Sequence, residues 1–484
     1  MYTSASSLVL TGASAAAGIV LAHEFGRNAR TDGFLAAYGV YLVLVLGAQA
    51  FRLVIVPDLT RAAAEGRLGG ETKAYALAFV ALAVPVSVLV GVFAGPIGDG
   101  ITGHLPHTSA VLAASALRWL VPAAFAQLLA ALFASALAAI DSYASAAVGF
   151  AVGGVAAVGV FVALRSHGLI ALAWGLTLSA GIALAVTLVV LASRGGLRGG
   201  EIEPRVGERL WRLAQGAAVP LALQALYPVA LRLAAGAGVG QVTSLSYAYL
   251  VAGGLVTATA TALALISAAP LTRRGLDPDA AALHVVNASW VSLAVVAVAA
   301  GVFAVVGGQI VGAVLGNAYG GGVGRELGRL VVALAPWMVA FVAFAATFPL
   351  LFVMQSSRLL VPLAIGALVV YAPLGFALRE AFGVAGIAVG MGIVVLVVIV
   401  VLMASVSRRM LVLAAVGLAR LALVVVAIAV AAFALPRLAL SPVPAAALGA
   451  CAYVVLLGAA SRFGLRDAWR YVRTLHEPGT LTRP

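Results

Sequence analysis

Apolar runs of about twenty residues recur along the whole chain, separated by short polar or glycine-containing breaks. The runs are apolar on every face. They therefore read as helices crossing a bilayer, not as amphipathic helices packed on a soluble core. Fourteen spans are expected, at roughly 4–22, 33–56, 74–97, 111–140, 143–164, 168–193, 212–235, 243–269, 284–315, 328–353, 359–379, 383–406, 411–435 and 443–460. The runs at 111–140 and 284–315 are longer than a single crossing requires, so they tilt, kink or overshoot. Only helices and closed barrels satisfy their backbone in lipid, and these runs have helical length. The fold class expected is all-α and polytopic.

Composition strengthens that picture. Of 484 residues, 64% are hydrophobic and 9% charged, and mean hydropathy is +1.14; soluble domains have roughly 25% charged residues. The net charge of +13 lies mostly in the breaks, where charge bias across a membrane accounts for it without a nucleic-acid partner. One set of breaks, with the C-terminal tail, holds 18 of the 29 Lys and Arg, and the opposite set holds 7. That bias places both termini in the cytoplasm of a bacterial cell, with the chain in the cytoplasmic (inner) membrane. No Lys or Arg precedes Arg27, so 4–22 lacks the basic flank of a signal peptide and reads as a retained helix.

The chain repeats itself at an offset near 214 residues. VPDLTR at 56–61 answers to APLTR at 269–273, Pro122 to Pro336, and Asp141–Tyr143 to Gln355–Ser357. GLIALAWG from Gly168 answers to GVAGIAVG from Gly383, each run ending in Ser-Arg. An offset of six helices keeps both copies in one orientation, which implies two six-helix lobes around a central cavity. The expected organisation is 1–200 and 201–410 for the lobes, 411–461 for two further spans, and 462–484 for a basic tail. Gly195–Gly216 and the tail both look amphipathic, and read either as helices on the inner leaflet or as cytoplasmic segments obeying the charge bias. The glycine-rich stretch Gly316–Gly328 reads as a flexible outer loop.

Candidate chemistry is sparse. Arg232 in the seventh span and Arg118 in the fourth lie deep in apolar runs, where an arginine costs about 2.5–3.5 kcal/mol on insertion scales. Their repeat counterparts, near Gly18 and Val332, are uncharged. Tyr38, Tyr41, Gln49 and Arg52 share a face of the second span, and Tyr249 and Thr257 share one on the eighth. No Asp or Glu lies deep in a span, which argues against cation coupling. Guanidinium groups favour an anion such as a phosphate or pyrophosphate, held in bidentate fashion. The expected substrate-binding set is Arg232, Arg118, Arg52, Tyr38, Gln49, Tyr249 and Thr257. There is no P-loop Lys-Ser/Thr, the six histidines form no metal-spaced pair, and Cys451 stands alone. Neither a cofactor, a metal nor an enzymatic activity is expected.

TDGFLAAYGV at 31–40, the run from Ala116 to Phe150, and the block from Leu330 to Arg409 together resemble the MurJ/MviN lipid II flippases of the MOP exporter superfamily. Asp32 matches that family's aspartate at the start of the second span. The family's cavity-facing arginines in the first span are absent here, with Thr11 and Ala17 at those positions, and Leu250 stands near its arginine in the eighth. The resemblance implies a flippase for a lipid-linked (pyro)phosphate envelope precursor, working by alternating access. Its partners would be that lipid, membrane lipids and envelope-synthesis proteins. Two other readings use the same residues: a drug or metabolite exporter of this superfamily, or a non-transporting scaffold for envelope assembly.

Overall fold

The computed structural model describes residues 2–202, 205–273, 278–354 and 359–460. Among them every regular element is helical: α1 (Tyr2–Phe25), α2 (Ala29–Ala64), α3 (Leu68–Val92), α4 (Ala94–Thr102), α5 (His107–Ala139), α6 (Tyr143–Ala163), α7 (Ile170–Ser193), α8 (Val206–Ala235), α9 (Gln241–Arg273), α10 (Pro278–Leu315), α11 (Gly321–Ala333), α12 (Ala335–Met354), α13 (Leu360–Phe382), α14 (Val384–Val406), α15 (Arg408–Ala439) and α16 (Pro442–Ala460), with two short 3-10 turns. Twelve segments are long and apolar enough to cross a membrane among the described residues. Two further helices, α1 and α9, have 24 and 33 residues, enough at about 1.5 Å per residue to span ~30 Å of hydrocarbon. The chain is an all-α multi-pass membrane protein.

Helix ends follow local chemistry. The Asn28 side chain accepts from the amides of Arg30 (2.9 Å) and Thr31 (3.1 Å), which starts α2. The backbone turns left-handed at Gly103 (φ +60°), which stops α4. Prolines inside α2, α3, α5, α8, α13 and α15 are tolerated because apolar surroundings keep the remaining helix bonds in place.

The chain packs as two units. The first holds α1–α8 with the starts of α9 and α13; the second holds the rest of those two helices with α10–α12 and α14–α16. In the first, α2 and α5 form the central pair, with Leu59, Tyr75, Leu137, Leu191 and Leu213 buried together at one end. Since α8 packs along α2, with Gly39 and Gly47 receiving Leu231 and Leu221, this unit runs past residue 200. In the second, α10 is the spine for α12, α15 and α16. The Phe433 ring fills the space left by the missing side chains of Gly301 and Gly449, and Tyr453 Oη donates to Ala294 O (3.0 Å). The two helices beyond the repeat are thus docked on α10.

Two sequence expectations need correction. Residues 206–216 are not a separate surface helix: α8 runs unbroken from Val206, and Arg209 is buried. The pull is a two-pronged ion pair, Arg209 Nη1 and Nη2 on Glu71 of α3, the second prong at 3.1 Å. Gly316–Gly328 is not a flexible loop. It holds a 3-10 turn with Tyr319 buried, then α11. Its glycines serve close packing, with Gly324 and Gly328 meeting the backbone of α10 at Gly308 and Gly307. The amphipathic tail at 462–484 lies outside the described residues.

Candidate functional site

The polar face of α2 is built in steps. Tyr38 and Tyr41, three residues apart, stack with ring centroids 5.6 Å apart. Tyr41 is buried and donates to Gln127 Oε1 on α5 (2.6 Å), so its hydroxyl closes the α2–α5 seam. Tyr38 is half-buried beside it. Arg52 is half-buried, about 21 Å further along the helix at 1.5 Å per residue, and makes no hydrogen bond or ion pair among the described residues. The side chain of Gln49 lies outside the described residues.

α5 is buried on most of its surface, but a strip stays open: Thr108, Val111, Ser115, Arg118 and Pro122, at three- and four-residue steps. Pro122 has no N–H, so the carbonyl of Arg118 four residues earlier loses its usual helix donor. Arg118 is exposed, and its side chain has no partner among the described residues. Next to it, Trp119 is 6.4 Å from Trp174 on α7.

Arg232 is placed differently. It is half-buried in the last turn of α8, and its guanidinium covers Gly103, leaving no room for a Cβ there. Gly103 ends α4, so the cation meets the negative end of a helix dipole. Its neighbour Leu231 packs on Gly39 of α2. Tyr38 and Arg232 therefore lie at similar height in the first unit, while Arg52 lies well below them.

A lock not foreseen in the sequence stands close by. Asp32 is fully buried. It accepts from the amide of Gly240, and from the amide (2.8 Å) and hydroxyl (2.5 Å) of Thr243, so it caps the start of α9. Arg27 Nε donates to Gly240 O (2.9 Å). A carboxylate is thus buried at the end of a span, with all these bonds going to the turn that begins α9. The available signal was Asp32 itself, an acid in an apolar run, but its partner is 208 residues away and no local pattern names it.

In the second unit Tyr249 is buried, its ring 4.9 Å from that of Trp337. Thr257 is exposed, and its hydroxyl donates to Gly253 O one turn back (2.8 Å). The seven expected residues are thus divided: Tyr38, Gln49, Arg52, Arg118 and Arg232 in the first unit, Tyr249 and Thr257 in the second.

Neither a family model nor a curated protein matches the chain. Solved structures do. A lipid II flippase MurJ in an inward closed conformation is 13% identical, with a TM-score of 0.72 over 95% of this chain and 98% of that one. An inward-facing multidrug resistance MATE family transporter of the MOP superfamily is 15% identical, with a TM-score of 0.60 over 84% of this chain and 95% of that one. A eukaryotic MATE transporter is 17% identical, with a TM-score of 0.54 over 87% of this chain and all of that one. The chain has the MurJ-like fold of the MOP transporters.

Proposed function

We propose that the protein is a MurJ-like flippase that carries a lipid-linked phosphate or pyrophosphate cell-envelope precursor, such as lipid II or a polysaccharide precursor, across the bacterial cytoplasmic membrane by alternating access, with both termini in the cytoplasm. One observation carries this reading: in a transporter fold Arg118 lies within a span and Arg52 at the end of one, with no protein anion on either guanidinium among the described residues. An unpaired arginine at that depth is costly, and a passing anion offsets the cost when it binds. Guanidinium forks suit phosphate oxygens, and half-buried Tyr38, about 21 Å from Arg52 along α2, adds an amphipathic ring further along that helix. Arg232 contributes charge to the same field while clamping the end of α4. Tyr249, Thr257 and Gln49 complete the proposed set. The reading involves no covalent step.

Proteoliposomes loaded with fluorescently labelled lipid-linked sugar test it directly. The Arg52→Ala/Arg118→Ala double variant should transport at least tenfold more slowly, at unchanged insertion and thermal midpoint, from losing charge-assisted bonds to phosphate. Transport at the wild-type rate would sink the proposed site. The MATE-like fold favours one second reading, export of a drug or metabolite. A resistance profile that follows expression, with lipid-linked precursors moved no faster than in empty vesicles, would select it.

A further inference from the structure

A cavity of about 580 Å³ opens at the expected outer end of the first unit. Its walls are the corner between α1 and α2, the first turns of α5, and the turn between α6 and α7. The volume lies within the ~300–1,000 Å³ typical of small-molecule pockets. Three basic side chains line it, Arg30, His107 and His167, against one carboxylate, Glu24. Glu24 is already held by Arg165 (2.7 Å). The Arg30 side chain has no hydrogen bond or ion pair among the described residues, so the pocket carries uncompensated positive charge. The N-terminal ends of α2 and α5 form part of its wall and add to that field.

The rest of the lining mixes apolar Phe25, Val111, Leu112 and Leu169 with polar Asn28, Thr108 and Ser115. His167 lies 5.6 Å from Trp174, which in turn meets Trp119, and such aromatic groups favour the level of lipid headgroups. Cationic and apolar groups lining one pocket match an amphiphile whose charged group is a phosphate.

We propose that this pocket binds the phosphate of a membrane amphiphile at the outer face, with Arg30 and His107 donating to its oxygens and the Val111–Leu112 wall against its first apolar atoms. The pocket lies within one unit, so its occupancy does not require the transport reading to hold. The same donors accept free phosphate, and the two sources are separable by experiment.

Full-length protein in phosphatidylcholine nanodiscs is titrated with phosphatidylglycerol, and bound lipid is counted by native mass spectrometry. A parallel titration uses inorganic phosphate alone, followed by calorimetry. Arg30→Gln/His107→Gln changes two exposed side chains and should keep the wild-type thermal midpoint. It should bind phosphatidylglycerol at least tenfold more weakly, from lost charged donors. Arg329→Gln, another exposed arginine at the expected outer end, should leave binding unchanged. Phosphate that binds alone, weakens in the same double variant and is not outcompeted by lipid would support the pocket with free phosphate as its occupant. Equal binding of both probes by wild type and double variant, or equal weakening in Arg329→Gln, would overturn the proposal.

Discussion

The fourth span carries a proline at equivalent positions in the two repeats, Pro122 and Pro336, with different outcomes. α5 runs unbroken through Pro122, whereas α11 gives way to α12 just before Pro336. Both prolines are exposed, so burial does not separate them. The neighbour does. Gly392 of α14 presses on the backbone at Pro336 and Trp337, where a Cβ would find no space. The matching position in α7 is Leu178, which is exposed. A proline therefore permits a bend by removing one helix bond, and a helix able to approach closely makes use of it. The charge follows the opposite pattern. The unbroken copy carries Arg118, and the bent copy carries Val332 in its place. One copy is specialised for polar chemistry and the other for shape.

That contrast can be tested at matched positions. The largest effect is expected at Asp32, whose repeat counterpart is Ser246. Asp32→Ala strips the acceptor from Gly240 and Thr243 and leaves Arg27 without its nearby counter-charge, a loss of about 3–5 kcal/mol by analogy with broken buried ion pairs. Thermal unfolding of the purified protein should fall by several degrees, while Ser246→Ala shifts it by a degree or less. Equal shifts would remove the asymmetry of the lock. Next comes Arg118 against Val332. Arg118→Ala should slow translocation about tenfold, the effect of losing ~1.4 kcal/mol of charged hydrogen bonding. Val332→Ala should change it less than twofold. The smallest effect is at two glycines that are not repeat counterparts but share a similar φ, Gly103 (+60°) and Gly383 (+65°). Alanine costs ~1–2 kcal/mol at either from the left-handed backbone. Gly103→Ala also displaces Arg232, so its melting shift should exceed that of Gly383→Ala; equal shifts would mean that Arg232 yields freely.

Much of this architecture was legible in the apolar runs. Their length gave the long helices, and the recurrence of Pro, Gly and Ser-Arg landmarks gave a repeat that the helix boundaries follow: His107 begins α5 where Gly321 begins α11. What escaped depended on distant partners. Arg209 looked like a loop charge because its run is polar, and only the approach of Glu71 on α3 explains its burial. The glycines of 316–328 looked like slack because glycine serves both loops and close packing, and sequence does not say which. The expected site was legible as residue types only. Nothing in the apolar run around Arg232 foretold that it would cover Gly103, whereas Arg118 was visible as an isolated charge. Arg30, His107 and His167 all fall in expected outer breaks, so a shared end of the molecule was readable, but not a shared pocket.

The seat of Phe433 bears on how the molecule is made. Gly301 leaves the ribosome more than a hundred residues before Phe433, and until then the dent at Gly301 has no ring to fill it. In a bilayer the groups available to fill that groove before the last two helices arrive are acyl chains. Chains truncated before Arg408 should therefore still insert, but keep lipid in the groove where the full-length protein keeps an aromatic ring.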